Sequence, residues 1–253
     1  MASIPHGSAW IPEPFASQML AVEDLRTDSY TGEVYGFLAE LGATVVEARL
    51  SRYVADPNRD PEAPAFGPFP EAIVASTDGW RRLYAGRLPP EAIAGRIAAA
   101  HTAYHRALDE AVAAHLRAAP RVLLVDLHSF GVPLDVDVVL GDGRGRTAAT
   151  EATGLLEAAL VGAGLRVVRN LRFTGGWIVR RFAAVDRVDA VQVEVDKRLY
   201  ADPAAVADRR RQVPRDPRRI AELRERLRGA FAAALAGYED WAPGIPPRSF
   251  PQP

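Results

Sequence analysis

The chain contains no cysteine. It can therefore form neither disulfides nor thiolate metal sites, and any metal must be held by His, Asp or Glu. Lysine is nearly missing too: Lys197 stands alone, and arginine makes up the rest of the 31 basic residues. Acidic residues number 32, so the formal net charge is −1 and gives no general attraction to a polyanion such as nucleic acid. The arginine excess is read as a compositional bias. No apolar run reaches the roughly 20 residues of a membrane span. The first residues lack the basic and then apolar segments of a secretory signal. A cytoplasmic protein without a nucleic-acid or membrane partner is expected. The H-E-x-x-H signature is absent, and no G-x-G-x-x-G, phosphate-binding loop or G-x-S-x-G occurs in its proper context.

What is present is an ordinary globular composition, with 48% apolar and 25% charged residues over 253 positions. Strand and helix patterns alternate. "SIPH" reads as a strand edge, "EVYGFLAELG" as a helix closed by Gly42, and "ATVVEARLS" as a strand. A helix is expected from about Pro90 to Ala118. "RVLLVDLHSF" is the near-continuous apolar run of a buried parallel strand. "DVDVVLGDG", "RVVRNLRF" and "VDAVQVEVDKRLY" read as further strands. "TEATGLLEAALVGAG" reads as a helix ending at Gly164, and a final amphipathic helix starts with Asp216 as N-cap and Pro217 at N1. The expected architecture is a single α/β domain over residues 1–241, with a mostly parallel mixed sheet and helices on both faces, and then a proline-rich tail, 242–253. From Pro57 to Pro90 the pattern is weak, as in a functional or disordered loop, and this segment could close over the site.

Ligands of such sheets bind beyond the carboxyl ends of strands. His6 follows a short apolar run, His128 ends "VLLVDLH", and Glu194 lies near the end of "DAVQVEV". If those strands are neighbours, two imidazoles and a carboxylate converge, which is the donor set of a catalytic metal with an open position. Glu194 and Asp28, just before a helix, both qualify as the third ligand. Asp28 also suits a simple N-cap, and His6 a surface turn. Asp126 and His128 flank Leu127 and share a face that should be buried, where they need partners. Asp126 is expected to support His128. His101 and His105 are four apart on a helix and share its face, but lack a third ligand. Arg52, Asn58 and Arg59, in "SRYVADPNRD", form a candidate carboxylate anchor because the guanidinium fork matches that group. Gly175 and Gly176, in "FTGGWIVRRF", permit close approach of a ligand, and Arg180 lies just downstream.

Seven stretches resemble the N-formylglutamate amidohydrolases, in order along about 200 residues: "SIPHG", "TDSYTGEVY", "GATVVEARLSRYVADPNR", "YHRAL", "LLVDLHSF", "FTGGWIVRRF" and "VQVEVDKRLY". The resemblance implies a fold like that of the zinc carboxypeptidases. It implies Zn²⁺, or another divalent metal, on His6, Asp28 and His128, and Glu194 as general base. It matches Arg52, Asn58 and Arg59 to a carboxylate-binding set and implies a small acidic N-acyl amino acid as substrate, N-formyl-L-glutamate first. Arg180 is the candidate for holding the oxyanion. The chain departs from the family pattern at Pro57, Ser8 and Trp177, and Ala9 stands where the carboxypeptidases place a glutamate ligand. Those changes keep two alternatives in view: hydrolysis of a different N-acyl amino acid or modified peptide, and a non-catalytic metal-binding or ligand-binding relative.

Overall fold

Six strands form one mixed sheet in the order β2-β1-β3-β6-β4-β5: β1 Ala2–Ile4, β2 Val45–Glu47, β3 Val122–Phe130, β4 Val138–Gly141, β5 Val167–Arg169 and β6 Val188–Asp196. The computed structural model describes residues 1–20, 22–208 and 212–244. β2, β1, β3 and β6 are mutually parallel, β4 runs antiparallel to β6, and β5 is parallel to β4. The three strands of the expected site, β1, β3 and β6, are thus neighbours, with β3 in the middle. All nine residues of β3 and of β6 are buried, which accounts for their apolar composition.

Helices cover both faces: α1 Thr31–Val34, α2 Phe37–Glu40, α3 Pro90–Arg96, α4 Ala103–Ala118, α5 Thr150–Gly162, α6 Trp177–Ala183, α7 Pro203–Ala207 and α8 Pro217–Trp241. Leu123, Val125 and Leu127 of β3 pack with Val191, Val193 and Val195 of β6 against α5 and α8, where Leu156, Leu227 and Phe231 lie. The intervening residues, Val122 and Leu124, pack with Val188 and Ala190 against Leu108 of α4 and Phe182 of α6. Each such side chain contributes about 1.5–3 kcal/mol by leaving water. Further along that second face the pattern turns polar, at Asp126 and His128 on β3 and at Gln192 and Glu194 on β6. The polar residues there are placed by the same two-residue alternation that builds the core.

Three elements differ from the sequence pattern. The helix expected over "EVYGFLAELG" is two single turns around Tyr35 and Gly36, since an interior glycine weakens a helix; Gly42 does close it, at φ +78°. The long helix after Pro90 is interrupted by a π-helical turn, Ile97–Thr102. The 57–90 segment is folded rather than featureless. It carries two short ladders, Phe66–Gly67 with Val74–Ala75 and Thr77–Asp78 with Arg81–Arg82, over a cluster that includes Tyr53, Ile73 and Leu83. Asp216 caps α8 as expected, its side chain accepting from the Arg219 N–H at 3.1 Å. Of the tail, 242–244 form a 3₁₀ turn, and 245–253 lie outside the described residues.

Candidate metal-binding group and active site

The register of the sheet sets the site. Glu194 pairs with His128 and Gln192 with Asp126 across β6 and β3, so all four side chains share one face. His6 lies two residues beyond β1, and its carbonyl accepts from the Asp28 N–H at 3.0 Å, which draws the Asp28 loop over the strand end. His6, Asp28 and His128 are all buried and bring three ligand atoms together. The two Nδ1 atoms are 3.1 Å apart, and Asp28 Oδ2 lies 3.0 Å from that of His128 and 3.5 Å from that of His6. A tetrahedral ion with bonds of about 2.0–2.1 Å separates its ligands by roughly 3.3 Å.

The opposite ring nitrogens are held by carboxylates. His6 Nε2 is 2.8 Å from Asp56 Oδ1, and His128 Nε2 is 2.9 Å from Asp126 Oδ2. A carboxylate only accepts, so each Nε2 carries the proton and each Nδ1 presents a lone pair. Three acceptors, two Nδ1 atoms and an ionised carboxylate, then face one point. Such a set fits a divalent cation, and carboxylates behind ligating histidines are the usual support. With a proton in place of a cation among these atoms, burial pushes Asp28 up, but hydrogen bonds from His128 and His6 outweigh it and hold Asp28 well below the usual carboxylate range. Burial disfavours a charged His128; the Asp126 charge and the bonds of Asp126 and Asp28 outweigh that and raise its pKa, so cationic charge is favoured at this point. Glu194 is not part of the group. Its Oε1 accepts from Gln192 Nε2 at 2.9 Å, and Gln192 Oε1 accepts from the Gly176 N–H at 2.6 Å. Burial in particular raises the Glu194 carboxyl to about 7.

A cavity of about 490 Å³ opens above these residues. His6, Asp28, His128, Glu194, Arg52, Asn58, Arg59, Gly175 and Gly176 all line it. Arg52 and Arg59 both reach Asp56 Oδ2, Arg59 at 3.2 Å. The Asn58 amide is engaged on both sides. Its Nδ2 donates to Asp126 Oδ2 at 3.3 Å, beside the His128 Nε2–H that donates to the same oxygen, and its Oδ1 accepts from the Ile178 N–H at 2.9 Å. Gly176 is needed for that contact, because a Cβ there would fall on the Asn58 amide. Gly175 takes φ +117°. Arg180 is exposed on α6, its Nη1 donating to the Gly175 carbonyl at 3.4 Å, and it does not line the cavity. Neither does Trp177, which opens α6. From the 57–90 segment, Phe69 reaches the cavity and lies 5.0 Å from the Arg52 guanidinium.

His101 and His105 do not converge on a third ligand. Each donates from Nε2 to a backbone carbonyl of the anchor loop, His101 to Arg59 at 2.9 Å and His105 to Pro57 at 2.8 Å. Asp56, Gln192 and Lys197 owe their place in the site to the fold rather than to any sequence motif. Asp56 sits between Arg52 and Arg59, a pattern visible in "SRYVADPNR", but its partner His6 is 50 positions away. Gln192 is recognisable only as the residue two before Glu194 on the same face. Lys197 donates to the Thr27 carbonyl at 2.6 Å and lines the cavity.

The model of a family described as N-formylglutamate amidohydrolase matches residues 1–201, which include every residue of the site. The chain belongs to the N-formylglutamate amidohydrolase family. It is similar to the N-formylglutamate deformylase of Pseudomonas aeruginosa, at 32% identity over 224 residues, covering 81% of this chain and 83% of that protein. Two solved structures share the fold. The crystal structure of an N-formylglutamate amidohydrolase from Ralstonia eutropha JMP134 aligns with a TM-score of 0.79 at 24% identity, over 94% of this chain and 93% of the other. A gene product of Agrobacterium tumefaciens aligns with a TM-score of 0.72 at 23% identity, over 94% and 90% of the two chains. Among the described residues no helix is long and apolar enough to cross a membrane.

Proposed function

We propose that the protein is a zinc-dependent amidohydrolase that cleaves N-formyl-L-glutamate to formate and L-glutamate. The observation that carries this reading is the buried His6–Asp28–His128 group with Glu194 one strand away at the register of His128. The family and the relative's activity support the substrate. Zn²⁺ held by that group would supply a Lewis acid at the acyl oxygen and a water of lowered pKa. Glu194 takes a proton from the attacking water and returns it to the amine nitrogen as the C–N bond breaks. A carboxyl near 7 suits both transfers at neutral pH. Gln192, fixed by the Gly176 N–H, holds the carboxylate in place.

Arg52 and Arg59 grip a substrate carboxylate. Asp56 neutralises one of their two charges and leaves the other for the ligand. Asn58 keeps the anchor loop against Asp126 and the start of α6. Gly175 and Gly176 allow the backbone there to pass close by, and Phe69 covers the anchor from the 57–90 segment. Arg180, outside the cavity, is given no part in this step.

The experiment is chelation and replacement of Glu194. Stripping the metal should abolish formate release from N-formyl-L-glutamate, and added Zn²⁺ should restore it. Glu194→Gln should bind Zn²⁺ like the parent and lose about 10²–10⁴ in kcat. Full turnover without metal, or with glutamine at 194, would refute the mechanism.

A further inference from the structure

A substrate with two carboxylates needs two places for negative charge, and Arg52 with Arg59 account for one. Five cationic side chains line the cavity: Arg26, Arg52, Arg59, Arg172 and Lys197. Four are committed. Arg52 and Arg59 share Asp56, Arg26 Nε lies 3.1 Å from Asp78 Oδ1, and Lys197 is bound to the Thr27 carbonyl and faces the charges of Asp28 and Glu194. Arg172 makes no hydrogen bond or ion pair with any described residue, so its full fork of donors is free.

Its backbone is unusual as well. Arg172 has φ +62° and Asn170 φ +56°, a region in which L residues other than Asn and Asp are uncommon. The loop is held there from several directions. The Asn170 side chain accepts from the Arg144 N–H at 3.1 Å and donates to Asp142 at 2.7 Å. The Phe173 N–H reaches the Leu171 carbonyl at 2.6 Å, closing a tight turn with Arg172 at its centre, and the Phe173 ring packs 5.6 Å from Phe130. A strained conformation fixed by its surroundings is typical of ligand clamps. Glycine would hold this turn at no steric cost, yet the chain puts a free guanidinium there, at the cavity wall.

We propose that Arg172 binds the second carboxylate of the substrate and makes the site selective for N-acyl dicarboxylic amino acids over their neutral analogues. The inference rests on the amidohydrolase reading above. The first carboxylate lies with Arg52 and Arg59, and the second, at the far end of the side chain, meets Arg172 in a bidentate pair.

The test compares N-formyl-L-glutamate with N-formyl-L-glutamine, which has the same shape and lacks the second charge. In the parent protein the acid should be preferred. Arg172→Gln should narrow the ratio of the two kcat/KM values by about ten-fold or more, and Arg172→Lys should recover part of it. Arg106→Gln, on the exposed side of α4, should leave the ratio at the parental value. An Arg172→Gln protein with the parental ratio would overturn the assignment while leaving the amidohydrolase reading intact. A parent protein that hydrolyses neither compound would instead remove that reading, and the assignment with it.

Discussion

His105 offers a test that is independent of metal and substrate. Its ring is buried, 4.6 Å from His101 and 6.5 Å from Phe182, and its Nε2 donates to the Pro57 carbonyl. Burial first, and then the neighbouring His101 and Arg181, lower its pKa from 6.5 to about 4, against the opposing pull of the Pro57 carbonyl and Asp109. The folded protein keeps this ring neutral where the unfolded chain would charge it. The contribution is therefore complete above 6.5, declines as the pH falls through that value, and levels off below about 4. Between about pH 7 and pH 5 the linkage amounts to about 2 kcal/mol of stability lost. Glutamine keeps an N–H donor and cannot take up this proton. Urea unfolding at the two pH values should show the parent losing about 2 kcal/mol more than His105→Gln. Parallel losses would show that the ring is charged in the fold, or solvated, and would refute the reading of His105 as a neutral donor to the anchor loop.

Two further replacements probe the support around the ligands. Asp56→Ala removes the acceptor of His6 Nε2 and leaves Arg52 and Arg59 without their counter-charge. Those arginines keep some solvent contact, so the expected destabilisation is about 2–3 kcal/mol, below the range for fully buried pairs, with zinc affinity falling about 10–100-fold. A change under about 1 kcal/mol with unaltered affinity in a competition titration would contradict that role. Gly176→Ala places a Cβ against the Asn58 amide. Displacing Asn58 from Asp126 and Ile178 should lower kcat/KM by about ten-fold or more, and parental kinetics would show that Asn58 is not needed where it sits.

The parts of this protein that were legible in the sequence are those that break a strong local pattern. Asp126 and His128 stand inside "RVLLVDLHSF", and Glu194 inside "VDAVQVEV", runs whose remaining residues are mostly the apolar ones of a buried strand. A polar side chain there needs a purpose, and its spacing gives its face. α8 announced itself through Asp216, Pro217 and its amphipathic period. Asp56 and Arg172 were not legible in that way. Both are polar residues in polar loops, and their meaning comes from partners far off in the chain or from a backbone angle. The reversed directions of β4 and β5 follow from connections that periodicity does not encode. The π-helical turn ahead of α4 has the same alanine-rich composition as the helices on either side.

The division of labour between strands and loops follows from what each can hold still. Neighbouring strands lie about 4.8 Å apart, and their register is fixed by the buried face on either side. On the mechanism proposed above, putting His128 and Glu194 at paired positions sets the separation of metal ligand and base through the whole core: a one-residue slip of β6 would turn Glu194 into the layer beneath α5 and α8 and unpair nine buried residues. The loops carry what must fit a ligand. Asp28, Asp56, Asn58 and Arg172 reach the cavity region from loops, yet each loop is tied down by bonds to His6, to the strand residue Asp126 or within its own turn. On the reading proposed above, His128 and Glu194 sit on strands while Arg52, Asn58, Arg59 and Arg172 sit on loops, so altering the 170–173 turn would leave the β3–β6 ladder untouched.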